Sequence, residues 1–228
     1  MVVIPSFNGA DYIHEQLYRF KKCAPEERLI VVDTKSTDPK SKLIVQTECG
    51  LRDVEFAECE GDEHGYESGA LKKAFALHPD EPFYMTVHDS LWIKSQETMP
   101  MVHECLRSHD VVAWHFFMQE GSGWDSQEQR DWLVRNFGTD QYYMGIYGQV
   151  FAAKNEQMRR LLERVRDIRV DSKDTTMGME RAWPIVMGQL GMSILFLEHY
   201  KGPLFSDNYR YFMKAPRDKS GPYAGARM

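Results

Sequence analysis

The sequence predicts an α/β fold, a single domain with a mainly parallel central sheet flanked by helices. Short apolar segments alternate with helix-like segments over residues 1–90, which is typical of βαβ units. Residues 29–33 are continuously apolar up to the final aspartate, as a strand buried on both faces of a parallel sheet should be. A length of 228 residues suits one large domain of this class.

The first part of the chain predicts regular strand and helix pairs. Strands are expected at 1–5, 29–33, 54–57 and 83–88. Ile13, Leu17 and Phe20 are spaced as one face of a helix, which Pro25 ends. A second helix is expected to begin at Pro39 with Asp38 as its N-cap, and a third covers residues 65–77.

The second part predicts longer helices and less regular strands. Strands are expected at 111–117, 146–153 and 192–197, and helices at 98–107, 127–136, 155–167 and 179–190. Pro184 is expected in the first turns of the last helix, where its missing N–H costs little. We expect one domain over 1–202, in halves 1–95 and 96–202. The glycine- and proline-rich segment 203–228 is expected to form an extended, partly disordered tail.

Composition argues against several functional classes. The net charge of −6 argues against nucleic acid as a partner. The four cysteines contain no CxxC pair, so neither a zinc knuckle nor a redox dithiol is predicted, and reduced thiols favour a cytoplasmic protein. No segment approaches the ~20 consecutive apolar residues of a membrane span, and the N-terminus lacks a signal-peptide pattern.

Polar residues follow three of the predicted strands. The first strand ends in Ser6-Phe7-Asn8-Gly9, the second in Asp33-Thr34-Lys35-Ser36, and the fourth in His88-Asp89-Ser90. Ligands of open α/β sheets bind beyond the carboxyl ends of the strands, so these residues are candidates for a binding site. Any one of Asn8, Gly9 and Asp33 taken alone is equally consistent with a turn former or a helix cap.

Residues 1–38 carry a family resemblance that extends to about residue 95. The segments Val2-Val3-Ile4-Pro5-Ser6-Phe7-Asn8-Gly9 and Leu29-Ile30-Val31-Val32-Asp33, with Ser36-Thr37-Asp38, resemble the opening of GT-A glycosyltransferases of inverting family 2. The resemblance implies that Pro5, Phe7, Asn8 and Asp33 hold the nucleotide of a sugar donor. Thr34 departs from the family, which usually carries a second aspartate there.

Asp89 is the candidate for the donor-phosphate and metal site. The resemblance implies that the acidic motif ending the fourth strand binds Mn²⁺ or Mg²⁺, and here only one carboxylate remains, flanked by His88 and Ser90. His199 is the candidate for a second metal ligand, with His88 as a further possibility. A structural hydrogen-bonding role remains open for either histidine.

A glycine-flanked helix start lies between the third and fourth strands. The resemblance implies that Gly65, Ser68 and Gly69 face the donor, with backbone N–H groups directed at phosphate oxygens and with Lys72 and Lys73 one turn further on. An ordinary glycine-punctuated helix start explains the pattern equally well. A Walker loop is absent from the sequence, which argues against a P-loop NTPase.

Glu180 is the candidate general base. The segment Met177-Gly178-Met179-Glu180-Arg181 resembles the family 2 region in which an acidic pair opens a helix that faces the acceptor. Asp174 is the fallback, and a surface glutamate paired with Arg181 is the alternative for Glu180. The rings of Trp183, Trp124 and Tyr143 are candidates for stacking on sugars, although core positions are equally common for aromatic side chains.

These observations predict metal-assisted transfer of a sugar from a UDP- or GDP-sugar to an acceptor hydroxyl, with inversion. Residues 1–95 would bind the nucleotide sugar and residues 96–202 the acceptor, which is expected to be a glycan, glycoprotein or lipid-linked molecule. Two alternatives stay open: a non-catalytic nucleotide-sugar or glycan-binding module, and a nucleotidyltransferase. The second should carry a glycine-rich basic loop after the first strand, and no lysine or arginine follows Pro5 until Arg19.

Overall fold

The structure, a computed structural model, describes residues 1–60, 66–119, 126–198 and 209–214. The strands are β1 Val2–Ser6, β2 Leu29–Asp33, β3 Glu55–Glu58, β4 Phe83–Thr86, β5 Leu91–Ile93, β6 Val111–Ala113, β7 Phe116–Met118, β8 Met144–Ile146, β9 Phe151–Lys154, β10 Ile194–Phe196 and β11 Phe212–Lys214. The helices are α1 Ala10–Cys23, α2 Pro39–Leu51, α3 Tyr66–Leu77, α4 Thr98–Ser108, α5 Gln127–Phe137, α6 Asn155–Arg164 and α7 Lys173–Gln189, and a 3₁₀ turn spans Tyr147–Gln149.

Within the described residues, seven strands form the central sheet, in the order β10-β6-β9-β4-β1-β2-β3. β1 pairs in parallel with both β2 and β4, and β2 pairs in parallel with β3. β9 is antiparallel to its two neighbours, β4 and β6, whereas β10 pairs in parallel with β6. The expected mainly parallel sheet flanked by helices is confirmed.

The sheet is buried on both faces because successive strand residues point into two different apolar layers. Val3, Ile30 and Val32 pack into the layer that also contains α3, α6 and α7 residues. Val2, Ile4 and Val31 pack into the layer that also contains α1, α2 and α4 residues. Helices on both faces therefore explain why β2 has no polar side chain before its final aspartate.

Two predicted strands are interrupted by residues with left-handed backbone. His115, with φ of 55°, separates β6 from β7 within the predicted strand 111–117. Gly148 and Gln149, with φ of 64° and 51°, form the 3₁₀ turn that precedes β9 within the predicted strand 146–153. A strand cannot continue through such residues, so both predictions were too long.

Helix α7 begins before the predicted start at residue 179. Ser172 caps it, and the Ser172 and Thr175 side chains form a capping box. Glu180 therefore lies inside the helix and does not open it, and Pro184 lies inside the helix and not in its first turns. Because proline has no backbone N–H, the Glu180 carbonyl lacks the usual helical donor four residues on. Helix α6 ends at Arg164, earlier than the predicted residue 167.

Part of the C-terminal segment packs against the domain. β11 pairs antiparallel with β5, and the Lys94 Nζ donates to the Tyr209 carbonyl at 2.6 Å. Phe212 is fully buried beside Trp114, with ring centroids 5.6 Å apart. Residues 203–208 and 215–228 lie outside the described part of the chain. Among the described helices, none is long and apolar enough to cross a membrane.

Candidate functional site

The carboxyl ends of β1 and β2 are joined beside each other at one edge of the sheet. The Thr34 backbone N–H donates to the Ser6 carbonyl at 2.8 Å, and the Thr34 hydroxyl donates to the same carbonyl at 3.0 Å. β4 lies on the other side of β1, so the residues that follow all three strands meet at this edge. The expected convergence of the polar strand ends follows from this parallel pairing.

Asp89 is packed tightly against the loop that follows β1. Its residue exposure is 8%, and a Cβ added to Gly9 would lie 2.2 Å from Asp89 Oδ2 and 2.4 Å from Ser6 Oγ. Burial raises the pKa of Asp89 from 3.8 to about 6, against the opposing effects of His88, the Ser6 side chain and the Ser90 backbone. Only glycine at position 9 leaves room for this carboxyl group.

Asp33 uses one carboxylate oxygen for the loop and leaves the other without a hydrogen bond. Its Oδ1 accepts from the backbone N–H groups of Lys35 and Ser36, both at 3.0 Å. Its Oδ2 is buried without a hydrogen-bond partner, and the residue is 2% exposed. A buried carboxylate oxygen of this kind is suited to accept a hydrogen bond from a ligand.

Asn8 and Phe7 lie at the same edge in different roles. Asn8, with φ of 53°, donates from its side chain to Thr37 Oγ1 at 3.0 Å and accepts from the Asp38 backbone N–H at 3.0 Å. It thus holds the loop that follows β2. Phe7 is 42% exposed, and its ring centroid lies 5.9 Å from that of Tyr66. Pro5 is buried within β1.

His88 is bound by a carboxylate that was not among the predicted site residues. Its Nε2 lies 2.7 Å from Glu67 Oε1, and the Glu67 side chain is only 4% exposed. The Gln16 side chain donates to the His88 carbonyl at 2.9 Å. The His88 ring is therefore fixed from α3, next to Asp89 on the β4 end.

Glu180 reaches the same group of residues from α7. Its Oε1 accepts from the Gly148 backbone N–H at 2.8 Å, and its Oε2 lies 3.0 Å from the Arg181 guanidinium. Burial raises the pKa of Glu180, while the charges of Arg181 and His88 and the Gly148 N–H oppose that rise and Glu67 adds to it. The side chain of Glu180 is 13% exposed.

The α3 residues divide into two groups. Ser68 and Gly69 are buried in the first turns of α3, whereas the Lys72 Nζ donates to the Arg166 carbonyl at 2.9 Å. The Lys72 ammonium is thus bound to the segment after α6 and is not part of the Glu67–His88 group. Ser90 contacts Asp89 through its backbone. Gly65 lies outside the described residues, as do His199 and Trp124.

The candidates for sugar stacking and the alternative candidate for the general base, Asp174, lie in different surroundings. Trp183 is fully buried against Phe151, with ring centroids 5.1 Å apart, so neither of its faces is open to a ligand. Tyr143 is 74% exposed. Asp174 lies in the first turn of α7, where its Oδ1 accepts from the Gln129 side chain at 3.3 Å.

Two residues of this group, Glu67 and Gln149, were missed by sequence reasoning. Glu67 lies inside the glycine-flanked segment whose backbone N–H groups were predicted to face the donor. The sequence signal for its role was a single acidic residue within residues 65–70. Gln149 carries no sequence signal, because its role depends on contacts with residues 67, 176 and 183. Within the described ranges, no three His, Cys, Asp or Glu side chains are grouped closely enough to hold a metal ion.

No family model matches the sequence, and no curated protein does either. The fold does match solved structures. Glucosyl-3-phosphoglycerate synthase from Mycobacterium tuberculosis, solved in complex with Mn²⁺, UDP and phosphoglyceric acid, superposes with a TM-score of 0.59 at 16% identity, over 86% of this chain and 67% of that chain. Mannosyltransferase PcManGT from Pyrobaculum calidifontis, in complex with GDP-Man and Mn²⁺, gives 0.53 at 18% identity, over 87% of this chain.

The chain has a GT-A-type fold. It spans 54% of the length of the mannosyltransferase, about half of that protein. The fold of this chain is also similar to that of 4-diphosphocytidyl-2C-methyl-D-erythritol synthase from Anaerococcus prevotii. The TM-score is 0.53 at 12% identity, over 86% of this chain and 85% of that one. At these identities the similarity establishes the fold and leaves the reaction to be argued from the site.

Proposed function

We propose that this chain transfers a sugar from a nucleoside-diphosphate sugar to an acceptor hydroxyl group. One observation carries the proposal: the carboxyl groups of Asp89, which is buried, and Glu180, which is largely buried, come to one edge of the sheet from opposite halves of the chain. The charges of His88 and Glu67 affect the pKa of both. Glycosyl transfer needs a site for the leaving diphosphate and a base for the attacking hydroxyl. Asp89 and Glu180 are suited to these two roles.

The nucleoside would bind against the ends of β1 and β2. Asp33 Oδ2 is an unused acceptor, suited to an N–H group of a uracil or guanine base. The exposed ring of Phe7 offers a flat face for that base, and Asn8 holds the loop between them in place. The bound glycosyltransferase neighbours carry UDP and GDP-Man, which supports a UDP- or GDP-sugar donor here.

A divalent cation fits the surroundings of Asp89. Carboxylate oxygens are the ligands that Mn²⁺ and Mg²⁺ prefer, and the raised pKa of Asp89 reflects a buried negative charge that a cation would compensate. Asp89 would hold the ion with donor phosphate oxygens, and we retain His199 as the candidate second protein ligand. When bound, the ion would supply charge stabilisation for the departing diphosphate.

Glu180 would act on the acceptor. Its carboxylate accepts the proton of the acceptor hydroxyl while that oxygen forms a bond to the anomeric carbon, and the bond from that carbon to the diphosphate oxygen breaks. The nucleoside diphosphate leaves with the bonding electrons, and attack from the face opposite the leaving group inverts the configuration. The raised pKa of Glu180 makes it a stronger base than an exposed glutamate.

A nucleotidyltransferase is the second candidate, because the Anaerococcus prevotii synthase shares the sheet over most of both chains. Against it stands the loop after β1. This loop consists of Phe7, Asn8 and Gly9 before α1 begins at Ala10, and it has no lysine or arginine to hold a nucleoside triphosphate. A non-catalytic binding module would not need a positioned carboxylate such as Glu180.

Calorimetry with UDP, GDP and CTP, each with Mn²⁺, tests the proposal. Tighter binding of UDP or GDP than of CTP is the expected result, whereas preference for CTP would favour the nucleotidyltransferase. Asp33→Asn keeps the Oδ1 acceptor for the Lys35 and Ser36 N–H groups and replaces only Oδ2 by a donor. We expect it to weaken nucleotide binding by about tenfold or more, the scale of a lost hydrogen bond to a charged group.

The matched control is Asp110→Asn. Asp110 Oδ2 accepts from Ser193 at 3.0 Å at the amino end of β6, the edge opposite to the candidate site. This variant should retain the nucleotide affinity of the wild type. Equal affinities of wild type and Asp33→Asn would remove the nucleoside from the β2 end. Once a nucleotide sugar is found to bind, transfer assays with glycan, glycoprotein and lipid-linked molecules would identify the acceptor.

A further inference from the structure

Gln149 has an unusual position between the two halves of the site. It ends the 3₁₀ turn Tyr147–Gln149, it is 1% exposed, and its φ is 51°, directly after Gly148 with φ of 64°. A buried non-glycine residue with left-handed backbone is uncommon and persists where its surroundings fix it. The side chain of Gln149 provides that fixation.

The amide group of Gln149 connects α3 to α7. Its Nε2 donates to Glu67 Oε2 at 2.8 Å and to the Thr176 carbonyl at 3.2 Å. Its Oε1 accepts from the Trp183 indole N–H at 2.8 Å. Both amide hydrogens and the oxygen are thus used, and the amide has a single orientation that satisfies all three partners.

The same turn is connected to both proposed functional groups, directly to Glu180 and through two side chains to the strand end that carries Asp89. Through Glu67, whose other oxygen lies 2.7 Å from His88 Nε2, Gln149 is connected to the β4 end beside Asp89. Through the adjacent Gly148 N–H, which donates to Glu180 Oε1 at 2.8 Å, the turn holds the proposed base. One side chain therefore fixes the turn that orients Glu180 relative to the His88–Asp89 strand end.

We propose that Gln149 is a positioning residue for glycosyl transfer, which sets Glu180 against the donor side of the site without contacting substrate. The proposal rests on the proposed function, since it assumes that Glu180 acts on the acceptor. A displacement of about 1 Å in a reacting group costs on the order of 10²-fold in rate. Loss of the Gln149 amide should therefore reduce turnover much more than it reduces nucleotide binding.

The first test compares Gln149→Met with Gln129→Met. Both glutamines are buried, but Gln129 belongs to the capping box of α5 and its side chain bonds to Asp174, away from the turn. Turnover is measured as hydrolysis or transfer of the UDP- or GDP-sugar that the wild type uses fastest, and UDP affinity is measured by calorimetry. We expect Gln149→Met to lower kcat about 10- to 100-fold with UDP affinity within about twofold, and Gln129→Met to leave kcat near the wild-type value.

Three outcomes would overturn the positioning role. These are an unchanged kcat in Gln149→Met, an equal loss in Gln129→Met, and a loss of UDP affinity in step with kcat.

A second test exchanges the glutamate at position 67 and the glutamine at position 149. In the double variant Glu67→Gln with Gln149→Glu, the new amide at position 67 can donate to the new carboxylate at position 149 and accept from His88. That carboxylate can still accept from the Trp183 indole N–H. That carboxylate cannot donate to the Thr176 carbonyl as the Gln149 amide does. We therefore expect kcat of the double variant to stay below that of the wild type but to exceed that of Gln149→Glu alone, in which two carboxylates face each other. Effects that simply multiply would contradict the link between the two positions.

A measurement without substrate separates this inference from the proposed function. Hydrogen exchange of the Gly148 amide reports the bond to Glu180 directly, and we expect it to be protected in the wild type and to exchange at least about tenfold faster in Gln149→Met. Unchanged exchange would overturn the inference even in an active enzyme. Failure of the wild type to bind UDP or GDP would contradict the proposed function, while faster exchange in the variant would still support the positioning of Glu180.

Discussion

The two sides of the sheet present their carboxyl groups in different ways. On the proposed donor side, β1 to β4, Asp33 ends a regular parallel strand and Asp89 follows closely after another. On the acceptor side, β6 to β10 with α5 to α7, Glu180 projects from the middle of a helix and is held by a turn with left-handed backbone. Strand ends place a side chain by local geometry, whereas Glu180 depends on contacts between distant segments. The proposed base lies on the acceptor side and the proposed nucleotide contacts lie on the donor side. Changes on the acceptor side should therefore affect catalysis more than nucleotide binding.

The largest expected effect is that of Glu180→Gln. Loss of a positioned base should lower kcat by about 10²–10⁴-fold, and donor affinity should barely change because in the proposed role the carboxylate acts on the acceptor. Steady-state kinetics together with UDP calorimetry measure the two quantities. Asp174→Asn serves as the comparison, since Asp174 is the other carboxylate considered for this role. A larger loss in Asp174→Asn than in Glu180→Gln would assign the base to Asp174.

The pH dependence of turnover should follow Glu180. The base acts when deprotonated, and burial raises the pKa of Glu180 above the ordinary 4.5. Turnover should therefore fall as pH is lowered through that raised pKa, at a higher pH than an exposed glutamate would give. In Glu180→Gln the residual rate should lose this limb of the profile. A limb that persists there belongs to another group.

Gly9→Ala tests the donor side by sterics. The added methyl group would lie 2.2 Å from Asp89 Oδ2, so the carboxyl group or the loop after β1 must move. We expect overpacking to cost about 1–3 kcal/mol of stability and to weaken nucleotide binding in the presence of Mn²⁺. Gly50→Ala is the control, because nothing lies within 4 Å of a Cβ there, and within α2 it should stabilise the fold by up to about 1 kcal/mol. Full nucleotide affinity in Gly9→Ala would mean that Asp89 does not need its present position.

The smallest expected effect concerns acid stability on the acceptor side. Burial lowers the pKa of His115 from 6.5 to about 3, so the unfolded chain binds a proton that the folded chain does not over this range. Stability should be full above pH 6.5 and fall as pH decreases, by up to about 2 kcal/mol at pH 5 from this group. Glu198, beside His115, has a raised pKa and acts in the opposite direction. The difference between wild type and His115→Asn isolates the histidine.

Denaturant unfolding at about pH 7.5 and about pH 5 measures that difference. Asparagine tolerates the left-handed backbone at position 115, where φ is 55°. We expect His115→Asn to lose less stability than the wild type on acidification. An equal loss in both proteins would mean that His115 is protonated in the folded state.

The contrast between the two sides also explains what the sequence could predict. The βαβ order and the Asp38 cap follow from local patterns. The meeting of three strand ends follows from the parallel pairing that this order favours. The breaks at His115 and Gln149 and the early start of α7 were not predicted. Gly148 beside Gln149 is a local signal for a turn, but the left-handed backbone of His115 and of Gln149 themselves depends on packing between distant segments.

The Glu67–His88 contact, on the proposed donor side, could not be predicted from the sequence either. Both residues were inside segments singled out by the sequence, but their pairing joins α3 to the end of β4 and depends on the tertiary fold. The glycine spacing of residues 65–70 indicated a role for the backbone there, but the buried Glu67 of that segment reaches the site through its side chain. Residue types at strand ends could thus be identified from sequence, and their connections could not.

The most direct test of the central claim is the effect of Mn²⁺ on UDP binding to the wild type and to Asp89→Asn. The substitution retains the size of a side chain packed against Gly9 while removing the negative charge that a cation needs. We predict that Mn²⁺ strengthens UDP binding to the wild type by about tenfold or more, the scale of one coordinated charge pair, and that Asp89→Asn abolishes this enhancement with folding intact. Full Mn²⁺ enhancement in Asp89→Asn would contradict the assignment of the donor-phosphate site to the end of β4.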